Sequence, residues 1–139
     1  MIYKRVSIIW PMVFIAIVFG ILTIKSGGAV LFTNGEARIA AGNYVAFVLW
    51  FNFLAGFAYV IAGVGLWLDK SWAIKLAIGI AASTLIVFAA FAVHILLNGN
   101  YEMRTVAAMT LRSVIWSAIA IASYTYNKQS IMKASSDNN

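Results

Sequence analysis

The residues able to do chemistry in this chain are few, and most of them fall in one stretch, HILLNGNYEMRTVAAMTLRSVIW, which runs from His94 to Trp116. Arg112 is the strangest of them. It lies inside a hydrophobic run, where a guanidinium costs about 2.5–3.5 kcal/mol at mid-bilayer, less near the edge. Such a residue is either an anchor, stacked on Trp116 and paired with Glu36 or Glu102, or the binding group for an anion or a carboxylate. Asn52 falls at a similar depth in an earlier run. Its amide needs a partner in hydrocarbon, so a hydrogen bond from Asn52 to Arg112 or to His94 is expected. Together Arg112, His94, Asn52 and Glu102 form the candidate ligand-binding set.

A second chemistry uses overlapping residues. His94, Glu102, Met103 and Met109 offer one imidazole, one carboxylate and two thioethers, a donor set suited to copper. The motif has no recognised spacing, and an interfacial histidine is usually just hydrogen-bonded. Ser83 and Thr84 need no function, because either hydroxyl can bond its own preceding turn. HExxH, GxSxG, Walker and dinucleotide fingerprints are missing, and no span carries paired carboxylates, so catalysis is not expected. The absence of cysteine removes disulfides and thiolate ligands.

These residues must be positioned by elements suited to lipid. Of 139 residues, 63% are hydrophobic and 10% charged, and mean hydropathy is +0.92, too little polar surface for a water-soluble globule. The formal charge of +6 sits at the ends of apolar runs, which suits lipid phosphates rather than nucleic acid. The expected fold is all-α, an antiparallel bundle of four transmembrane helices over about 6–24, 45–68, 72–97 and 105–126. The first span alone covers roughly 29 Å at about 1.5 Å per residue, close to the hydrocarbon thickness. A cleaved signal peptide is the competing reading of that span, but its apolar stretch is longer than such segments use. Pro11 falls in the first turn of this span. Only fifteen uncharged residues separate Arg112 from Lys128, so the fourth span must start near Thr105 and enclose Arg112.

Orientation follows from the basic residues. Lys4, Arg5, Lys70, Lys75, Lys128 and Lys133 fall on one side, and Lys25, Arg38, Arg104 and Arg112 on the other. The bias puts both termini in the cytoplasm. Between the first two spans, Asn34-Gly35 flanked by 29–33 and 36–40 favours a small outer β-hairpin. Residues 1–127 form one transmembrane domain, followed by a disordered cytoplasmic tail at 128–139. Small residues at steps of four line the spans: Ala58 and Ala62; Ala73, Ala77 and Ala81; Ser113 and Ser117; Ala118 and Ala122. Asn52, Gly56, Tyr59 and Gly63 share one face.

The expected role is that of a small non-enzymatic membrane protein, an accessory or assembly subunit or a regulator of a membrane complex. The alternative is a small oligomeric transporter or channel-like binding protein whose polar outer vestibule takes an anion or a metal. Its partners would be the bilayer and either further copies or another membrane protein. Short loops and the lack of N-glycosylation triplets suggest a bacterial inner membrane.

Overall fold

The computed structural model describes residues 2–33 and 35–138. Five helices follow in order: α1 (Ile2–Phe32), α2 (Glu36–Ala41), α3 (Ala46–Trp67), α4 (Ser71–Leu96) and α5 (Met103–Ser136). Four of them, over Ile8–Phe32, Ala46–Trp67, Ser71–Leu96 and Met103–Ser136, are long and apolar enough to cross a membrane. The chain is therefore a helical bundle of the multi-pass membrane type. Its surface carries large apolar side chains such as Phe14, Leu22, Leu54, Ile86 and Ile121, which lipid accepts and water would not.

Several elements depart from the sequence expectation. The first is α1, which continues to Phe32 instead of ending near residue 24. Its weak point, Gly27-Gly28, stays helical because α1 lies against Phe53: a Cβ on Gly27 would come within 3.2 Å of that side chain. Because α1 begins at Ile2 rather than near residue 6, Pro11 sits inside the helix rather than in its first turn, a placement that transmembrane helices tolerate. No strand forms among the described residues where the β-hairpin was expected. Asn34, half of the proposed turn, lies outside the described residues, and Glu36–Ala41 is a short helix. The physical reason is local, since Glu-Ala-Arg-Ile-Ala-Ala is rich in helix formers and an isolated two-stranded hairpin has little to hold it. Finally, α5 runs on to Ser136 in place of a disordered tail from 128. No glycine or proline interrupts that stretch.

The tight connections have readable causes. At the end of α3, Asp69 adopts φ 59° while Lys70 and Asp69 N–H groups return to the Gly65 and Leu66 carbonyls at 2.9 and 3.2 Å. The end of α4 repeats the device with Asn98 at φ 63° and Gly99 N–H on the His94 carbonyl at 2.9 Å. Both are Schellman-type stops, in which a short polar residue accepts the left-handed position usually given to glycine. The end of α1 is closed differently, by Arg38 donating to the Val30 and Leu31 carbonyls at 3.1 and 3.0 Å. α2 is thereby folded back onto α1.

Packing runs from α1 to α3 to α4 to α5, with α1 and α3 the closest pair and little direct packing between α1 and α5. Small residues set the α1/α3 approach. A Cβ on Gly20 would meet the Gly56 carbonyl and Val60 at 2.8 Å, and one on Gly63 would meet Ile17 at 2.8 Å. The face expected to carry Asn52, Gly56, Tyr59 and Gly63 is the buried one. Ala73, Ala77 and Ala81 are also buried. On α5 the interior instead takes Met109, Ser113, Trp116, Ile119, Ala120 and Ser123, leaving Ala118 exposed. Because backbone carbonyl lies opposite Gly20, Gly20→Ala should lower stability by about 1–3 kcal/mol through forced separation of α1 and α3. Gly79, where an added Cβ would meet nothing within 4 Å, is the control: in thermal unfolding in detergent, Gly79→Ala should be neutral or stabilising.

Candidate functional site

Arg112 sits about three turns into α5 and is half-buried. Its guanidinium does not pair with Glu36 or Glu102. It donates from Nη2 to Thr23 Oγ1 of α1 at 3.4 Å, a long bond, and lies 5.4 Å from the centre of the Phe19 ring. The expected stack on Trp116 is likewise replaced, because Trp116 turns fully inward to meet Tyr59 at 4.7 Å between ring centres. Phe19 lies on the other side of Tyr59, 6.1 Å away and within 14° of parallel. Three aromatic rings, one each from α1, α3 and α5, therefore stand below the arginine.

Hydrogen bonding around this group is incomplete. The expected Asn52 bond to Arg112 or to His94 is not made, and Asn52 Oδ1 has no partner. Tyr59 Oη faces Thr84 and Arg112, yet Tyr59 Oη, Thr84 Oγ1, Arg112 Nε and Trp116 Nε1 all lack a partner of good geometry. Ser83 behaves as expected, donating to the Ile80 carbonyl at 3.1 Å; its neighbour Thr84 does not. Tyr59, Thr84 and Trp116 have essentially no exposed surface. An unmet polar group in such surroundings costs about 1–3 kcal/mol, so a cluster of them is a strong departure from ordinary packing.

Above the cluster, at the end of the bundle that carries α2, opens a cleft of about 370 Å³. Asn52 and Arg112 line it, together with Glu102, Arg104, Tyr44 and Ser26, and Ala37, Ala40 and Ala41 of α2 form one wall. Two arginines against one glutamate leave the lining with an excess positive charge. Glu102 accepts the Asn43 N–H at 2.9 Å, and Arg104 donates to the Ala40 carbonyl. Both contacts tie the α2 segment to the start of α5. Gly42, at φ 63°, leaves no room for a Cβ beside the Glu102 carboxylate, which is why this corner needs glycine.

Three of the four residues expected to bind a ligand, Asn52, Glu102 and Arg112, thus share one cleft. His94 does not line it. Its Nε2 is 3.0 Å from the Asn100 carbonyl oxygen and its ring stands edge-on to Phe47 at 6.2 Å, so it braces the α4–α5 turn. The copper-type set is scattered in its engagements: Glu102 serves Asn43, Met109 is fully buried, and Met103 is 66% exposed. Among the described residues no three of His, Cys, Asp and Glu are grouped to hold a metal. Sequence reasoning missed Phe19, Thr23, Tyr59 and Thr84 as members of the site, and gave Trp116 a stack on Arg112 where it meets Tyr59. One usable signal existed, the shared face of Asn52, Gly56, Tyr59 and Gly63.

No protein-family model matches this chain, and comparison with curated proteins and with solved structures finds no relative. The site is therefore read from its own geometry. Removing the Glu102 carboxylate should free the α2 segment: Glu102→Ala is expected to speed amide exchange at Asn43 by roughly ten-fold or more, as loss of a bond to a charged acceptor worth about 1.5–3 kcal/mol implies. Unchanged exchange there would show that the tether is not what orders this corner.

Proposed function

We propose that this protein binds a small monovalent anion, inorganic or a carboxylate, at the floor of the α2-end cleft, with Arg112 as its charge partner. The reading rests on one observation: a guanidinium deep in the bundle meets a hydroxyl and a ring face and no carboxylate. Water can satisfy hydrogen bonds but does not balance a charge, and an unbalanced charge in a low-dielectric interior is strongly disfavoured. Arg112 Nε and Trp116 Nε1 are obligate donors, and both are unpartnered. Donor excess selects an anion. Asn52 Oδ1, the one obligate acceptor, would serve a protonated or hydroxylated part of the ligand.

In this reading the four spans run antiparallel in a bacterial inner membrane, both termini face the cytoplasm, and the cleft opens on the other side. Glu102 and Arg104 set its entrance and His94 only supports the adjoining turn. Self-association or a partner membrane protein would use the outer helix faces. The accessory or regulatory role expected from composition has no comparable observation behind it.

Thermal unfolding of purified protein in a sulfate buffer, whose anion is divalent, titrated with sodium chloride, nitrate or pyruvate, tests the binding. At least one anion should raise the midpoint saturably, by an amount corresponding to about 2.7 kcal/mol at a hundred-fold excess over Kd. Arg112→Leu should still insert yet lose the response, and Arg112→Lys, keeping charge without the planar fork, should weaken it. Failure of Arg112→Leu to insert would instead mark the arginine as an anchor. Orientation is read separately: in this cysteine-free chain, a cysteine replacing the exposed Asn100 should react with an impermeant maleimide from outside the cell, and protection would reverse the assigned topology.

A further inference from the structure

The unmet polar atoms do not stop at the cleft floor. Ser123 Oγ is the sixth buried side-chain atom without a partner, and Ser123, 7% exposed, lines a second cleft of about 230 Å³ at the opposite end of the bundle, by the 68–70 turn. Asp69, Lys70, Tyr126 and Asn127 supply polar lining there, and Ile8, Ile9 and Met12 supply the α1 wall. Both clefts are bounded by α1 on one side and α5 on the other. They share the seam between those two helices, which pack little on each other directly.

Along α5 the order is Arg112, Trp116, Ser123. Seven residues separate Trp116 from Ser123, about 10 Å of helix. Between these levels lies a packed layer: Ala16 of α1, Ala62 and Ala77 have almost no exposed surface, and Ile119 and Ala120 are buried in the same cluster. Asn52, Arg112, Tyr59, Thr84 and Trp116 descend from one cleft to this layer, and Ser123 waits on its far side.

We infer that the anion site is the entry half of a transport path along the α1/α5 seam, in which the bound anion passes the layer at Ala62, Ala77, Ile119 and Ala120 into the second cleft. The inference rests on the anion-binding reading and adds to it a direction and a gate. The packed layer of buried side chains between the clefts makes the device a carrier rather than an open pore. The moving part is the seam: α1 and α3 form the tightest pair, α4 packs about equally on α3 and α5, and rocking of α5 with α4 against the α1/α3 pair would close the first cleft while opening the second. At the far end the Lys70 ammonium stands with the Asp69 carboxylate in the lining, so the second cleft carries no net charge and holds the anion less tightly than the first. The Asn127 amide and the Ser123 and Tyr126 hydroxyls offer neutral donors beside Lys70.

The test uses the full chain in liposomes loaded with potassium chloride, nitrate or pyruvate, with valinomycin letting potassium leave to balance the charge, efflux read by ion chromatography and binding read in parallel by thermal shift. Efflux above that of protein-free liposomes is expected, saturating with internal anion. Ala120→Phe should keep the anion-induced shift and lose at least ten-fold in flux, because Ala120 belongs to the layer and not to the binding site. Ser123→Leu should do the same and serves if Ala120→Phe does not fold. Wild-type binding without flux would overturn the path while leaving the binding reading intact. Flux that rises linearly with concentration, or is untouched by both variants, would overturn the gate. Absence of any anion-dependent shift would remove the binding reading and the path with it.

Discussion

The structure is organised around one uncompensated charge. Arg112 enters the bundle without a carboxylate, held by the Thr23 hydroxyl and the face of Phe19. Neither neutralises it. In hydrocarbon-like surroundings a guanidinium retains its proton and must be balanced or reached by water. The cleft that descends to Arg112 provides that access, and the unpartnered donors at Arg112 Nε and Trp116 Nε1 are the basis of the proposed anion site.

Holding such a group in position demands a rigid frame that does not come from the hydrophobic effect, since lipid tails are as apolar as the helix surfaces. Glycine contact between α1 and α3 provides it. Gly20 lies against the Gly56 carbonyl, and Gly63 against Ile17, so Thr23 and Phe19 of α1 are carried close to Asn52 and Tyr59 of α3. Shape, rather than charge pairing, sets the geometry. The helix ends are closed by backbone devices at Asp69 and Asn98 and by the Arg38 cap on α1, leaving Glu102 and Arg104 to pin the α2 corner over the cleft.

The asymmetry of packing is what the proposed transport path would use. Tight contact between α1 and α3 and loose contact between α1 and α5 put the polar clefts on the same seam, separated by small buried residues. A layer built from alanines is thin. Side chains of that size exclude water while resisting relative helix motion less than interlocked large ones would.

Much of the architecture is legible in the amino-acid order. Four apolar runs of span length, the inclusion of Arg112 in the last, the inward face through Asn52 and Tyr59, and the alanine groove of α4 all follow from hydropathy and from the helical repeat, which are local properties. Local propensity also explains the helical 36–41 segment, where the helix formers of Glu36–Ala41 outweigh the turn chemistry of Asn34-Gly35. What the order of residues cannot decide is which polar atoms meet. Sequence places Arg112 beside Trp116 or Glu102, whereas it lies on Phe19 and Thr23, residues from the first span. Thr84 is free by its position to bond its own helix and does not. Partner choice across helices depends on the rotation of each helix about its axis and on glycine-set separations of a few ångströms, quantities that only the assembled tertiary structure contains.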